Sequence, residues 1–417
     1  MEEAMINSIV LLLAIVSADG PQQWSQFRGP SGDGHWTSRD SNSTIPVRWD
    51  EKTNVAWKVR LNGKGHSSPV IWGKRLWATT ALNGGKQLDV ICVHLDSGKI
   101  LYQRTVFDGV DTQRIHTTSS HASPTPVVEE GRVYVHFGSY GTACLDSMSG
   151  KTLWTRTDLV VNHRHGPASS PIVAGKVVIL QFDGLDKQFM VALDKTSGET
   201  AWFKKRDIAY NTEVGERKKA FCTPLLITHE DTEQLVTTAA RAAIAYNAVD
   251  GSELWRVRFI GDSATAKPVY GGGMLFLTTS CVDAKMLAIN PSGRGDITET
   301  GVDWLLDKGI PQRPSPLFID GLLYCMHDQG VLTCRDPKTG DAIWKERLGG
   351  NFAASPIFAG GNIYIPSQDG ETFVVKPGRA FQLINKNELE EGCMSSPAAN
   401  DDSLFLRTDS HLYRISK

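Results

Sequence analysis

Eight times along the chain a small or polar residue followed by proline opens an apolar, strand-like run. The pairs are Ser68-Pro69, Ser123-Pro124, Ser170-Pro171, Thr223-Pro224, Lys267-Pro268, Ser315-Pro316, Ser355-Pro356 and Ser396-Pro397. The prolines recur at intervals of 40 to 55 residues. A period of that size marks a unit that cannot bury its own apolar face and must stack on copies of itself.

The body of each repeat keeps the period. A turn rich in Asp, Ser, Thr and Gly follows each proline, and an aromatic stands four residues after its glycine. Gly98 precedes Tyr102, Gly150 precedes Trp154, Gly198 precedes Trp202, Gly251 precedes Trp255, and Gly340 precedes Trp344. The fifth repeat carries an insertion between Gly293 and Trp304, and in the seventh Phe381 follows Gly378. Asp146, Asp194 and Asp336 are placed to accept hydrogen bonds from turn amides, while the glycines permit positive φ. Between these landmarks Val, Ile, Tyr and Phe alternate with polar residues, as in Gly131–Phe137, which reads as short half-buried strands. Four such strands make one propeller blade.

After Pro397 only three strands' worth of chain remains. The segment Asn54–Arg60 supplies a fourth, and its Trp57 supplies the aromatic that the last repeat lacks. The expected fold is therefore all-β: an eight-bladed β-propeller of four-stranded antiparallel blades, closed by an N-terminal strand completing the C-terminal blade. Such closure removes two open sheet edges. Trp57, Tyr102, Trp154, Trp202, Trp255, Trp304 and Trp344 are read as structural aromatics docking one blade on the next, each hiding roughly 150–250 Å² of ring surface.

The stretches Ala143-Cys-Leu-Asp146 to Trp154 and Ala192-Leu-Asp194 to Trp202 resemble the tryptophan-docking repeat of quinoprotein-like eight-bladed propellers. Trp24-Ser-Gln-Phe-Arg-Gly-Pro30 resembles an N-terminal signature of secreted members of that family. The resemblance covers roughly residues 24–417. It implies kinship both with pyrroloquinoline-quinone-dependent alcohol dehydrogenases and with non-enzymatic relatives of the outer-membrane barrel-assembly propeller lipoprotein. One scaffold hosts both, so the site must decide. The dehydrogenases typically carry a disulfide of adjacent cysteines beneath the cofactor, and this chain has no Cys-Cys pair.

At 417 residues, 41% hydrophobic and 22% charged, the chain can bury a large core. Its formal net charge of −2 gives no global signal for nucleic acid. Residues 1–18 hold an apolar run of signal-peptide length ending at Ser17-Ala18, although Glu2 and Glu3 are acidic where basic residues are usual. The domain reading is a signal peptide over 1–18, an N-terminal extension over 19–53 and the propeller over 54–417. The first cysteine is Cys92, so a lipid-anchored start is not expected. No membrane-spanning run of apolar residues follows residue 18. A periplasmic or secreted monomer is expected.

Seven cysteines are scattered without a CxxC spacing, which disfavours zinc. Cys325 and Cys334 lie symmetrically about Gln329-Gly330, within disulfide reach across a hairpin, and two readings stay open: a disulfide, or small buried strand residues.

The innermost strands of a propeller line its channel, so residues just before the prolines form one rim. Three residues back from each proline stand His66, His121, Ala168, Phe221, Thr265, Arg313, Ala353 and Met394. With His163, Arg164, His165, Lys219 and Lys267 nearby, the rim reads as locally basic. Three readings follow: solvated groups, a rim for a protein partner or small anionic ligand, or a metal shared by His66, His121 and His165. Quinone-dependent oxidation needs a calcium held by oxygen ligands and a carboxylate base. No Asp/Glu/Asn cluster occupies these loops, and no GxSxG, HExxH or Walker motif occurs. No catalytic residue is assigned and no cofactor is expected. The functional reading is an exported binding or scaffolding propeller of the cell envelope. The alternative is a pyrroloquinoline-quinone-dependent dehydrogenase of alcohols or sugars.

Overall fold

The computed structural model describes residues 23–38, 44–280 and 284–417. Eight antiparallel sheets are ordered as expected, each with four consecutive strands from the channel outward. The innermost strands of blades 1 to 8 are Val70–Trp72, Val127–Glu129, Ile172–Ala174, Leu225–His229, Val269–Gly271, Leu317–Ile319, Ile357–Ala359 and Ala398–Asn400. Blade 8 takes its outer strand, Val55–Arg60, from the front of the chain. Trp57 pairs with Arg414 and Val59 with Leu412, so the ring is closed. Two short parallel strands are added to this plan. His35–Trp36 runs beside the innermost strand of blade 7, and Gly295–Asp296, within the blade-5 insertion, runs beside the outer strand of blade 4.

One backbone device recurs in all eight outer strands. The register slips by one residue just before the docking position, as between Thr152 and Trp154 or Val55 and Trp57. A bulge re-aims the side chain that follows it, here toward the next blade. Its ring is then gripped from two sides. The indole N–H of Trp154 donates to Lys195 O at 3.0 Å, that of Trp202 to Ala248 O at 3.0 Å, and that of Trp57 to Leu95 O at 2.9 Å. Trp304 reaches Pro337 O and Trp344 reaches Gly378 O in the same way. Tyr102 donates to Ser147 O at 3.2 Å. The turn glycine of the next blade lies flat against the ring: a Cβ at Gly198 would meet Trp154 at 2.6 Å, and one at Gly98 would meet Trp57 at 2.7 Å. Those glycines need positive φ as well, so they are fixed twice over.

Two blades depart from the pattern. Trp255 donates to Gln234 Oε1 at 2.7 Å and is fully buried, with Gly295 as its register partner on the added strand. In blade 7 the docking position holds Asn385, not an aromatic, while Phe381 packs edge-on against Trp344 at 5.3 Å.

Of the two readings open for Cys325 and Cys334, the structure has small buried strand residues: no disulfide joins them, and both thiols are free and buried. Cys334 pairs with Tyr324, and Cys325 with Thr333, so the two cysteines stand one register step apart. A single step puts side chains on opposite faces of a sheet. Cys325 reaches Met286 Sδ at 3.8 Å in one inter-blade core, whereas Cys334 lies across from Trp344 in the next. Cys92 and Cys144 likewise oppose Tyr102 and Trp154, where a small side chain makes room for the ring. The expected signal peptide, and Cys281, lie outside the described residues.

Candidate functional site: a blind cup at the channel mouth

Each innermost strand starts at a proline, which leaves the preceding residue facing the channel. In blade 2 that proline is Pro126, not Pro124, because Val127 opens the strand and Thr125 occupies the shared position. The eight equivalent residues are Ser68, Thr125, Ser170, Thr223, Lys267, Ser315, Ser355 and Ser396. Their hydroxyls stitch the blades together. The amide of Ser68 donates to Thr125 Oγ1 at 2.9 Å, Thr125 to Ser170 Oγ at 2.9 Å, and Ser170 to Thr223 Oγ1 at 3.0 Å. Beyond the gap, Lys267 donates to Ser315 Oγ at 3.0 Å, Ser315 to Ser355 Oγ at 2.9 Å, Ser355 to Ser396 Oγ at 2.8 Å, and Ser396 back to Ser68 Oγ at 3.0 Å. Only the Thr223 amide lacks a hydroxyl, since Lys267 stands at the eighth place.

The rim lies two residues earlier in each strand: His66, Ser123, Ala168, Phe221, Thr265, Arg313, Ala353 and Met394 all line one cavity of about 450 Å³. His116, Thr118 and His165 complete its wall, and Phe27 reaches it from the N-terminal segment. That segment seals the channel. Trp24 O accepts from Ile71 N at 2.7 Å, Ser25 O from Val128 N at 2.8 Å, and Gly34 O from Phe358 N at 2.8 Å. Arg28 Nη2 donates to Pro316 O at 2.7 Å. The backbone contacts at Ile71, Val128 and Phe358 fall three residues, roughly 10 Å, along the strands from the hydroxyl ring, and the Arg28 contact falls one residue from it. The mouth is a cup rather than a tunnel.

Of the predicted ligand-binding rim residues, His66, His165 and Arg313 line the cup, whereas His121, His163, Arg164, Lys219 and Lys267 do not. His121 falls out of register with His66, because the blade-2 repeat is set by Pro126, and its ring bonds Tyr140 Oη at 3.1 Å. His163 is buried edge-on against Tyr140, with neither ring nitrogen partnered. Arg164 and Lys219 both pair with Glu216, which also meets His165 Nε2 at 3.2 Å. Lys267 is 1% exposed and points below the cup toward Gly32. Phe27 and the hydroxyl ring were the unforeseen parts; the Ser/Thr-Pro recurrence was the signal for the ring.

The expected basic rim is largely neutralised. Burial, with Arg407 and Lys64 nearby, pushes His66 down to about 4. Burial and the Lys219 charge lower His165, which stacks on His116 at 5.8 Å. Arg313 Nε is held by Asp328 Oδ1 at 2.6 Å. Arg313 is the one Lys or Arg in the wall, and no carboxylate lines it among the described residues. A calcium needs several oxygen ligands, carboxylates foremost, and a quinone bearing several carboxylates needs matching cations. This wall fits neither. Nor does any group of three or more His, Cys, Asp or Glu stand at metal-binding spacing among the described residues. What the cup offers is hydroxyls and imidazoles above the ring of Phe27.

The comparisons agree with this architecture. Outer membrane protein assembly factor BamB of Moranella endobia (strain PCIT) is 24% identical over 294 residues, 67% of this chain and 71% of that protein. The crystal structure of BamB from Moraxella catarrhalis superposes with a TM-score of 0.61 at 15% identity, over 86% of this chain and 98% of that one. The quinohemoprotein alcohol dehydrogenase ADHIIG of Pseudomonas putida HK5 superposes at 0.71 and 12% identity, over 94% of this chain and 80% of that one. At such identities the structures speak for the fold alone. The family described as outer membrane protein assembly factor BamB matches residues 11–217 and 186–417, nearly the whole length, and the chain belongs to that family.

Proposed function

We propose that the chain is an exported binding and scaffolding propeller of the cell envelope, which engages a protein partner or small ligand at the cup. The observation that carries this reading is the wall itself. It is deep, closed at one end and free of the carboxylates that quinone-dependent oxidation would use as calcium ligand and base. The name borne by the matching family, an outer membrane assembly factor, supports the envelope and a non-catalytic role. The rival reading is an oxidoreductase of alcohols or sugars, since the same fold is found in a quinohemoprotein alcohol dehydrogenase.

Site-specific photo-crosslinking in cells tests the proposal. A photoreactive residue at Thr265, in the cup wall, should capture a discrete protein, while one at Val249, exposed on a turn, should not. Crosslinks at Val249 alone would refute the assignment of the cup. Retention of pyrroloquinoline quinone after desalting, with dye-linked alcohol oxidation, would establish the rival.

A further inference from the structure

Two cations lie below the cup without charge partners. Arg28 is fully buried; its Nη2 donates to the Asp33 and Pro316 carbonyls, while Nε and Nη1 have no hydrogen-bond partner. Lys267 is 1% exposed, and among the described residues no carboxylate lies within ion-pair distance of it. Both press on one loop, residues 28–34. A Cβ at Gly32 would run into Lys267 Nζ, and one at Gly34 would lie 2.7 Å from Arg28 Nη2, so both cations lie directly against the backbone of one loop at residues where only glycine leaves them room. The nearest carboxylate, Asp33, is only partly buried, and its Oδ1 accepts the His35 amide at 3.0 Å.

Burying an unpaired ion costs several kcal/mol. An arginine cannot escape by losing its proton. A lysine can, but the Arg28 guanidinium whose charge acts on Lys267 cannot, so at least one buried positive charge stays without a counter-ion. We propose that the pocket between Arg28, Lys267 and the 28–34 loop binds a small inorganic monoanion of the chloride class. The anion would accept hydrogen bonds from Arg28 Nε and Nη1 and from the Lys267 ammonium, and would pin the N-terminal plug to blade 5. Burial and the Arg28 charge otherwise hold Lys267 down to about 7, as expected for a cation whose counter-ion is missing.

The test compares thermal unfolding of the full chain in sodium bromide and in sodium gluconate at equal ionic strength. Gluconate is too large for the site. Bromide should raise Tm saturably above the gluconate curve, against the general salt ranking, in which excluded kosmotropes stabilise more. Lys267→Ser supplies the missing ring hydroxyl and removes half of the site; it should fold and lose the bromide-specific rise, with at least a tenfold weaker apparent affinity. An anomalous bromide peak beside Lys267 Nζ and Arg28 would be the direct view. Superposed wild-type curves in the two salts would overturn the proposal without any variant having to fold. So would a full bromide response in Lys267→Ser.

Discussion

Ring closure rests on one indole, and Trp57→Ala shows how much. Trp57 is half-buried, donates to Leu95 O at 2.9 Å, lies on Gly98 and packs 6.0 Å from Phe405. Truncating a tryptophan costs about 3–5 kcal/mol when fully buried; half-burial puts the packing loss near ~2–3 kcal/mol, and losing the hydrogen bond to Leu95 O, which keeps only a 3.5 Å contact from Arg414 Nη1, adds about 1 kcal/mol. For a cooperative unit of this length, with an unfolding entropy of about 2 cal/mol/K per residue, that is roughly 3–4 °C of Tm. Trp154→Ala removes the same kind of bond, to Lys195 O, from a better-buried ring, and should cost as much or more. The two should differ in where the molecule opens. Trp154 joins blades 2 and 3 through continuous chain, whereas Trp57 sits on the strand that zips the ring shut. Hydrogen exchange in Trp57→Ala should accelerate together in 55–60 and 411–415, well below global unfolding, and in Trp154→Ala it should not. If both variants lose Tm with no local opening at 55–60, the seam is not the weak point of the ring. If Trp57→Ala shifts Tm by less than about 1 °C, the docking account fails outright.

Other outcomes are as specific. Cys325 and Cys334 should both be alkylated in denaturant without reductant, and reductant should leave Tm unchanged; mass spectrometry of the peptides decides it. Asp183→Asn breaks the buried bidentate pair with Arg206, at 3.0 Å on both arms, and should cost about 3–5 kcal/mol in urea unfolding. Glu391 is set against burial, which alone would raise it, but hydrogen bonds from Ser410 and Thr408 win and pull it down to about 2. A depressed carboxylate stabilises fully above its ordinary value near 4.5 and loses that contribution as pH falls toward 2. Acid titration of stability should therefore be flatter across that window in Glu391→Gln, by about 1–3 kcal/mol.

The fold was legible because its signals are local and repeated eight times: a proline at a strand start, a glycine against a ring, an aromatic after a bulge. Where the repeat offers two candidates, sequence cannot choose. Ser123-Pro124-Thr125-Pro126 holds two prolines in register-compatible places, and only the hydroxyl ring, with Thr125 between Ser68 and Ser170, selects the second. That slip of two residues is why His121 was placed in the cup. The basic rim failed for another reason. Glu216 is one carboxylate among many in sequence, yet in space it gathers Arg164, His165 and Lys219. Charge pairing between loops is not written in any period.

The remaining departures from eightfold repetition share one cause. Asn385 stands where other blades carry an aromatic, and beside it Asn387 accepts from Trp49 N at 2.8 Å and donates to Val47 O at 3.1 Å. Trp49, 3% exposed, stacks on Tyr364 and brings to this flank of blade 7 an indole that its own outer strand does not carry. Lys267 breaks the hydroxyl ring where the 28–34 loop passes, and blade 7 accepts His35–Trp36 on its channel edge. Each of these irregularities therefore meets a residue of the segment between Trp24 and Trp49. A ring of identical blades would present an eightfold-symmetric channel at each mouth. Threading this segment through one end closes that mouth, breaks the symmetry of the other, and leaves a single asymmetric cup for recognition to act upon.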